Sequence, residues 1–424
     1  MFTHRKTSAA HPLTPMPGNK IPSTSLHNLS TAGLAGASGL ISLLACSVAN
    51  AMDQSPDARA YVLEAAYTGD IWHNAHGGLR TGTAYLDNID VTLGVDGERA
   101  WGIKGLSAFG YVLYNNRKRF SETYVGDAMT VSNIDAAHAV RLYEAWLEWT
   151  SESQSFALRG GLYDMNSEFD TSDGRALFIH SSHGVGHELG QTGLNGPSIF
   201  PVTSLALRAA WQPARNWRLL AAVMDGVPGD PNHPDHSDIH LSRAEGVLAL
   251  TEIQWSSGRI HKLAAGYWRY SADFPDLRES IGDAPERDDN AGMYAAVEVA
   301  LGESAAPGTL MFVRYGVAND RINEFDRSIG VGLRSQGLFA NRPDDALGIA
   351  FTRADLGAAA RQNYAGSSSP AYEAALELTY RAVLNDWLTL QPDIQYIFNP
   401  GAAANLADSL AVGLRFELSM SCER

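Results

Sequence analysis

From Tyr61 onward the chain alternates between apolar and polar residues. In AYVLEAAYTGDI (60–71), Tyr61, Leu63, Ala65, Tyr67 and Ile71 share one parity, while Glu64, Thr68 and Asp70 share the other. Successive side chains of a strand point to opposite faces, so this segment forms a ribbon with one apolar and one polar side. The pattern returns in NIDVTLGVD (88–96), VLALTEIQW (247–255), AYEAALELTYRAV (371–383), WLTLQPDIQYIF (387–398) and LAVGLRFEL (410–418). Counted between turn signals there are about sixteen such segments, each near the roughly 9–11 residues a tilted strand needs to cross a bilayer. No run of about 18 apolar residues offers a membrane helix.

Two all-β architectures share this period. A soluble sandwich turns its apolar faces to a core and its polar faces to water, whereas an outer-membrane barrel turns the apolar face to lipid and the polar face to its lumen. Aromatics cluster near segment ends, at Tyr61, Trp149, Trp211, Trp217, Trp255, Trp387 and Phe398, where the girdles of a membrane barrel sit. Turn lengths also alternate. WQPARNW (211–217) and LNDWL (384–388) are tight, while 116–137, 164–199, 226–245 and 273–290 are long and polar. Short turns at one end and long loops at the other predict a transmembrane antiparallel barrel.

The first 51 residues fit export to such a membrane. They hold Arg5, Lys6 and Lys20 and no acid, then the apolar stretch LSTAGLAGASGLISLLACSVANA, whose Ala49-Asn50-Ala51 is an A-x-A cleavage site. The domain reading is therefore a signal peptide over 1–51 and a barrel over 52–424. With the leader gone, 29 of the 32 basic residues remain against 47 acids, a net charge of 29 − 47 = −18. Phosphate backbones would be repelled, which argues against nucleic acid as a partner. Cys46 also leaves, so Cys422 has no intrachain partner.

RLYEAWLEW (141–149), RGGLYDMNSEFD (159–170), GLNGPSIFPVTSLALR (193–208) and PDIQYIFNPGA (392–402) resemble the carbohydrate-selective porin family, the OprB type, across essentially the whole mature chain. The resemblance implies a sixteen-stranded barrel that passes small sugars by diffusion, with loops folded inward and arginine at a constriction. It implies outer-membrane lipid around the wall, insertion by the barrel-assembly machinery, and leaves a homo-oligomer open. The family's barrels end on an aromatic residue in the last strand, whereas this chain continues past Phe416 as ELSMSCER.

A neutral sugar offers hydroxyls and an apolar ring face, so its pore needs donors and acceptors beside aromatic surface, each contact weak enough to release. Taking the polar parity as lumenal places Glu64, Asp70, Asp90, Glu144, Glu148, Arg159, Arg208, Glu252, Arg269, Glu298, Arg314, Arg334, Glu373, Glu377, Arg381, Asp393, Arg415 and Glu417 on a wall of mixed charge. Arginine's planar fork suits sugar hydroxyls and ring faces, so Arg159 and Arg208 are expected to touch cargo. The bland reading is that these charges pair between strands. Arg141 falls on the parity of Tyr143, Leu147 and Trp149, which looks lipid-facing; a strand end, a bulge or a subunit contact would resolve this. The resemblance suggests Arg80 and Arg141 as constriction residues. The segment 164–199 is the best candidate for the inward loop.

Two features invite a metal or an enzyme. Asp164, Asn166, Glu168, Asp170 and Asp173 alternate like a calcium loop, but glycine and a bidentate glutamate are out of EF-hand register. IHSSHGVGHELG (179–190) carries His180, His183, His187 and Glu188, and PNHPDHSDIH carries His233, His236 and His240; neither matches H-E-x-x-H. With no G-x-S-x-G or P-loop either, no catalytic residue, cofactor or metal is assigned. The imidazoles are instead read as hydrogen-bonding groups near the pore mouth, with pH dependence of conductance near 6 as their signature. The reading is a passive, sugar-preferring porin of the bacterial outer membrane. The alternatives are a general or organic-acid-selective porin of the same fold and a soluble secreted glycan-binding β-protein.

Overall fold

The structure is a computed structural model, described for residues 60–116, 119–233, 238–279, 285–301, 308–363 and 370–423. The leader through Ala51 and His236 lie outside the described residues.

Alternation becomes strand after strand. In chain order these are β1 (Tyr61–Gly78), β2 (Gly82–Asp96), β3 (Leu106–Asn115), β4 (Ala139–Thr150), β5 (Phe156–Tyr163), β6 (Ser204–Ala214), β7 (Trp217–Asp225), β8 (Val247–Ser257), β9 (Ile260–Tyr270), β10 (Phe274–Pro275), β11 (Glu286–Arg287), β12 (Ala291–Ala300), β13 (Thr309–Ala318), β14 (Phe325–Gln336), β15 (Ala346–Leu356), β16 (Tyr372–Asn385), β17 (Leu388–Phe398) and β18 (Ala407–Glu423). β10 and β11 form a separate ribbon, and the other sixteen close into one antiparallel barrel in which β1 pairs with β18. Closure leaves no unpaired edge, which a strand in lipid requires. The ELSMSCE segment is part of this seam, extending β18 until Glu423 pairs with Val62.

Burial is inverted relative to a soluble sandwich. Val140, Leu142, Leu147, Leu207, Val223, Ile253, Leu376 and Leu378 are exposed on the outside, while Asp70, Arg208, Glu252, Glu298, Arg314, Glu373 and Glu377 are buried within. Trp149, Trp211, Trp217 and Trp387 stand exposed near the rim of short turns, the depth of an interfacial girdle. Turns at 151–155, 215–216, 258–259 and 386–387 lie at this rim, and loops 116–138, 164–203, 226–246 and 271–290 at the other. No helix among the described residues is long and apolar enough to cross a membrane, which says nothing about crossing by strands.

β4 resolves the parity of Arg141. Tyr111 pairs with Glu144 and Val112 with Leu142, so Tyr143 is an extra residue on β4. Such a bulge switches the face of everything before it. Arg141 is accordingly buried while its neighbours Val140 and Leu142 point out.

Candidate functional site

Two loops lie against the lumenal side chains of the wall. Loop 164–203 leaves β5 and returns to β6, yet its hydrogen bonds reach strands across the barrel. The amide of Asp170 donates to Glu252 on β8 at 2.7 Å, that of Gly174 to Glu298 on β12 at 2.6 Å, and those of Ile179 and His180 to Glu377 on β16 at 2.6 and 3.2 Å. Loop 116–138 is held alike, with the amides of Ala128 and Met129 each 2.8 Å from Glu373. The loops also pair: Asn133 donates to the Ile179 carbonyl at 2.9 Å and Ser181 to that of Thr130 at 3.1 Å. Backbone donors in a crowded interior need partners, and a carboxylate facing an N–H makes a strong one.

Loop 164–203 also encloses Arg314 on β13, which is 1% exposed. Its guanidinium donates to Glu188 at 2.7 and 2.8 Å and lies 2.9 Å from Asp170. Asp170 also meets Arg175 at 2.8 Å. Burial alone would raise the Asp170 carboxyl, but Arg314 and Arg175 outweigh it and hold the group below the usual carboxylate range. Two glycines make room for the cluster: a Cβ on Gly186 would meet Arg314 at 1.9 Å, and one on Gly316 would meet Glu188 at 1.8 Å.

Asp164, Glu168 and Asp170 of the alternation at the loop's start are each met by protein groups. Asp164 accepts from Tyr143 at 2.6 Å, and burial pushes its carboxyl up to about 6. Glu168 accepts from Tyr163 at 2.7 Å, lies 2.7 Å from Arg208 and pairs with Arg218. The histidines are likewise packed among other groups, although the rings of His180 and His183 meet edge-on at 5.9 Å. His180 accepts from the Ser182 amide at 3.3 Å, His183 sits between Phe178 and Phe312, and His187 lies against Phe325 at 4.7 Å. Burial lowers His180 to about 3 and His187 to about 4, and drives His183 well below its ordinary value. These loop imidazoles are neutral at pH 6, so the expected titration near that pH does not belong to them.

Eight of the expected wall and constriction residues divide into groups. Glu144 lines the lumen and accepts from the Asp164 amide at 3.0 Å. Glu148, Arg159 and Arg208 form one ion-paired group, with Arg159 2.9 Å from Glu148, Arg208 bonded to the same carboxylate, and the Arg159 guanidinium 3.7 Å over the Trp146 ring. Arg141 is lumenal through the bulge, and Arg381 continues the inward parity of Glu377 and Thr379. Two residues fall elsewhere. Arg269 shares the outward parity of Leu263 and Tyr267 at the loop end of β9, where it donates to the Asp288 carbonyl at 3.2 Å. Its polarity reflects a rim position, not a lumenal one. Arg80 is exposed in the β1–β2 turn, donating to the Thr123 carbonyl at 3.2 Å and stacking on Tyr124. It braces loop 116–138 at the outer rim.

Between the two loops and the β1–β4 side of the wall lies a cavity of about 720 Å³. Thr68, Asn88, Asp90, Tyr111, Glu144 and Arg415 come to it from the wall, Asp135, Asp164 and Gln191 from the loops. Tyr111 meets Tyr143 edge-on at 4.9 Å, and Tyr143 meets Phe200 at 6.4 Å, which gives the cavity an aromatic flank. Thr68, Asn88 and Tyr111 were missed in the sequence, although each lies on the predicted polar parity or beside the bulge that shifts it.

The model of the carbohydrate-selective porin, OprB family, matches residues 80–420. Porin B of Pseudomonas aeruginosa is 22% identical over 402 residues, covering 85% of this chain and 87% of that protein. The high-pH structure of Pseudomonas putida OprB superimposes with a TM-score of 0.75 at 18% identity, over 85% of this chain and 94% of that one. The outer membrane channel DcaP of Acinetobacter baumannii matches with a TM-score of 0.52 at 12% identity, over 87% and 99% of the two chains. At such identities the structural likeness carries the fold alone.

Proposed function

This chain belongs to the carbohydrate-selective porin family of the OprB type, and from that premise we propose how its lumen handles cargo. It is a sugar-preferring porin of the bacterial outer membrane. Sugars pass by diffusion through the cavity between loops 116–138 and 164–203 and the β1–β4 wall. Loop 164–203 narrows the pore, and its anchors on Glu252, Glu298, Glu377 and Arg314 set the width. The matched relatives are channels, and passage here involves no catalytic step.

The observation that carries this reading is the lining of the cavity. Hydroxyls and amides of Thr68, Asn88 and Gln191 sit beside the rings of Tyr111 and Tyr143, the mixture a sugar's hydroxyls and ring face need. The carboxyl groups of Asp90, Asp135, Glu144 and Asp164 line the same cavity as Arg415, an acidic balance that disfavours organic anions. Arg159 and Arg208 act by holding Glu148 and Glu168, so they shape the passage from its side. Lipid covers the outward parity, the barrel-assembly machinery inserts the chain after cleavage at Ala51, and a homo-oligomer fits the fold.

Liposome swelling with neutral sugars against organic acids of equal size tests the proposal. Faster entry of the sugars is expected, and Glu144→Gln should narrow the difference. Equal permeation would favour a general porin instead.

A further inference from the structure

The polar groups at the short-turn end of the lumen include one cluster that the passage of sugar does not use. It is built on an irregularity in β9. Lys262 pairs with Glu298 and Ile260 with Val299, and on the other side Leu263 pairs with Trp255 and Ile260 with Ser257. His261 is therefore an extra residue relative to both neighbouring strands, and such a bulge re-aims its side chain. Its Nε2 sits 2.7 Å from Asp173 Oδ2 on loop 164–203 and 3.6 Å from Glu298 Oε1 on β12. The ligand atoms of Asp173, His261 and Glu298 all lie within 4.8 Å of one another.

Glu298 supplies a second, independent observation. The residue is 1% exposed, and its Oε2 accepts from the Ser172 hydroxyl and from the Gly174 amide at 2.6 Å. Its Oε1 is buried without a hydrogen bond and faces His261. A buried carboxylate oxygen without a donor is costly unless a cation meets it. The nearby ammonium of Lys262 is directed elsewhere, to the Thr171 carbonyl and hydroxyl, both at 2.8 Å. Beside the cluster is a cavity of about 340 Å³ lined by Ser172, Gln254, Trp217 and Arg218.

The geometry points to a divalent transition-metal site of the zinc class, formed by Asp173, His261 and Glu298, that fastens loop 164–203 to the barrel wall. One imidazole and two carboxylates suit Zn²⁺ and its first-row neighbours, whereas Ca²⁺ and Mg²⁺ favour oxygen alone. Metal–ligand bonds of about 2.0–2.2 Å need the three atoms only slightly rearranged, with the 2.7 Å contact opening to admit the ion. Three protein ligands leave a coordination position facing the cavity for water. The ion joins residues from a loop and two strands, so binding it reduces the freedom of the loop.

The test uses the intact barrel in detergent, stripped with a chelator and titrated calorimetrically with Zn²⁺, Ca²⁺ and Mg²⁺. Asp173→Asn and His261→Gln remove ligands, while His233→Gln removes an exposed imidazole elsewhere. Asp173 is largely exposed and His261 partly so, so both variants are expected to fold, which heat-modifiable migration on gels checks. The expected result is one Zn²⁺ per chain, weakened more than about tenfold in Asp173→Asn and His261→Gln and unchanged in His233→Gln, since even residues that only orient a ligand cost about that much. Absence of saturable Zn²⁺ uptake, uptake unchanged in His261→Gln, or preference for Ca²⁺ would overturn the assignment.

Discussion

Arg314 shows how a charge on the polar parity takes its meaning from a distant partner. Alternation placed it on the wall, but nothing in its neighbourhood announced that Asp170 and Glu188, from a loop more than a hundred residues earlier, would enclose it. Arg314→Met leaves Glu188 buried without its cation and Asp170 with Arg175 alone, and breaking a buried pair in this way costs about 3–5 kcal/mol. The thermal midpoint should fall, and single-channel conductance should rise as the loop loosens. The histidines give a second prediction. His180 and His187 are held neutral, at about 3 and 4. Their folded values lie below the unfolded value of about 6.5, so the unfolded chain binds more protons as pH falls. Their contribution to stability is complete above about 6.5 and is lost as pH falls toward 4. Gln at both positions should flatten the decline of the thermal midpoint across that window; an unchanged slope would count against the assignment.

At the scale of the element, strands were legible because the signal is local. A period of two needs only a few consecutive residues, so the segments at 247–255 and 387–398 emerge as Val247–Ser257 and Leu388–Phe398. Bulges were legible only as contradictions, as at Arg141, since one extra residue leaves no mark beyond a broken parity. Deleting Tyr143 removes the extra residue and restores simple alternation with Arg141 still lumenal and Leu142 still outward. The yield of heat-modifiable, folded barrel should therefore hold; a loss of yield that Arg141→Leu recovers would count against the bulge. The loops were legible by length and polarity but not by destination, because backbone amides that seek a carboxylate look alike in any sequence. Replacing residues 172–190 with a short Gly/Ser link should leave the barrel folded and raise its conductance, as read in planar bilayers.

For the whole molecule, the inverted burial and the alternation of turn lengths made the architecture readable. Closure is a different matter. It depends on the first and last strands meeting, and the pair that locks their seam, Asp70 with Arg415 at 2.7 and 2.8 Å, spans nearly the whole chain. Ser132 and Asn133 of loop 116–138 dock on this same pair, at 2.7 Å to Asp70 and 2.8 Å to Arg415. The cavity beside it is lined by more carboxyl groups than cations, which predicts cation selectivity at neutral pH. A reversal potential under a potassium chloride gradient measures this directly, and Asp90→Asn with Glu144→Gln should move it toward zero. Anion selectivity in the unaltered channel would contradict the account of its lining.

The loops are fastened largely by their own amides to Glu252, Glu298, Glu373 and Glu377. An amide is the same whatever residue carries it, so many loop side chains can be exchanged without undoing the moorings. The barrel thus separates where its filter is held from what its filter prefers, and a change of diet would require new side chains on an old anchorage.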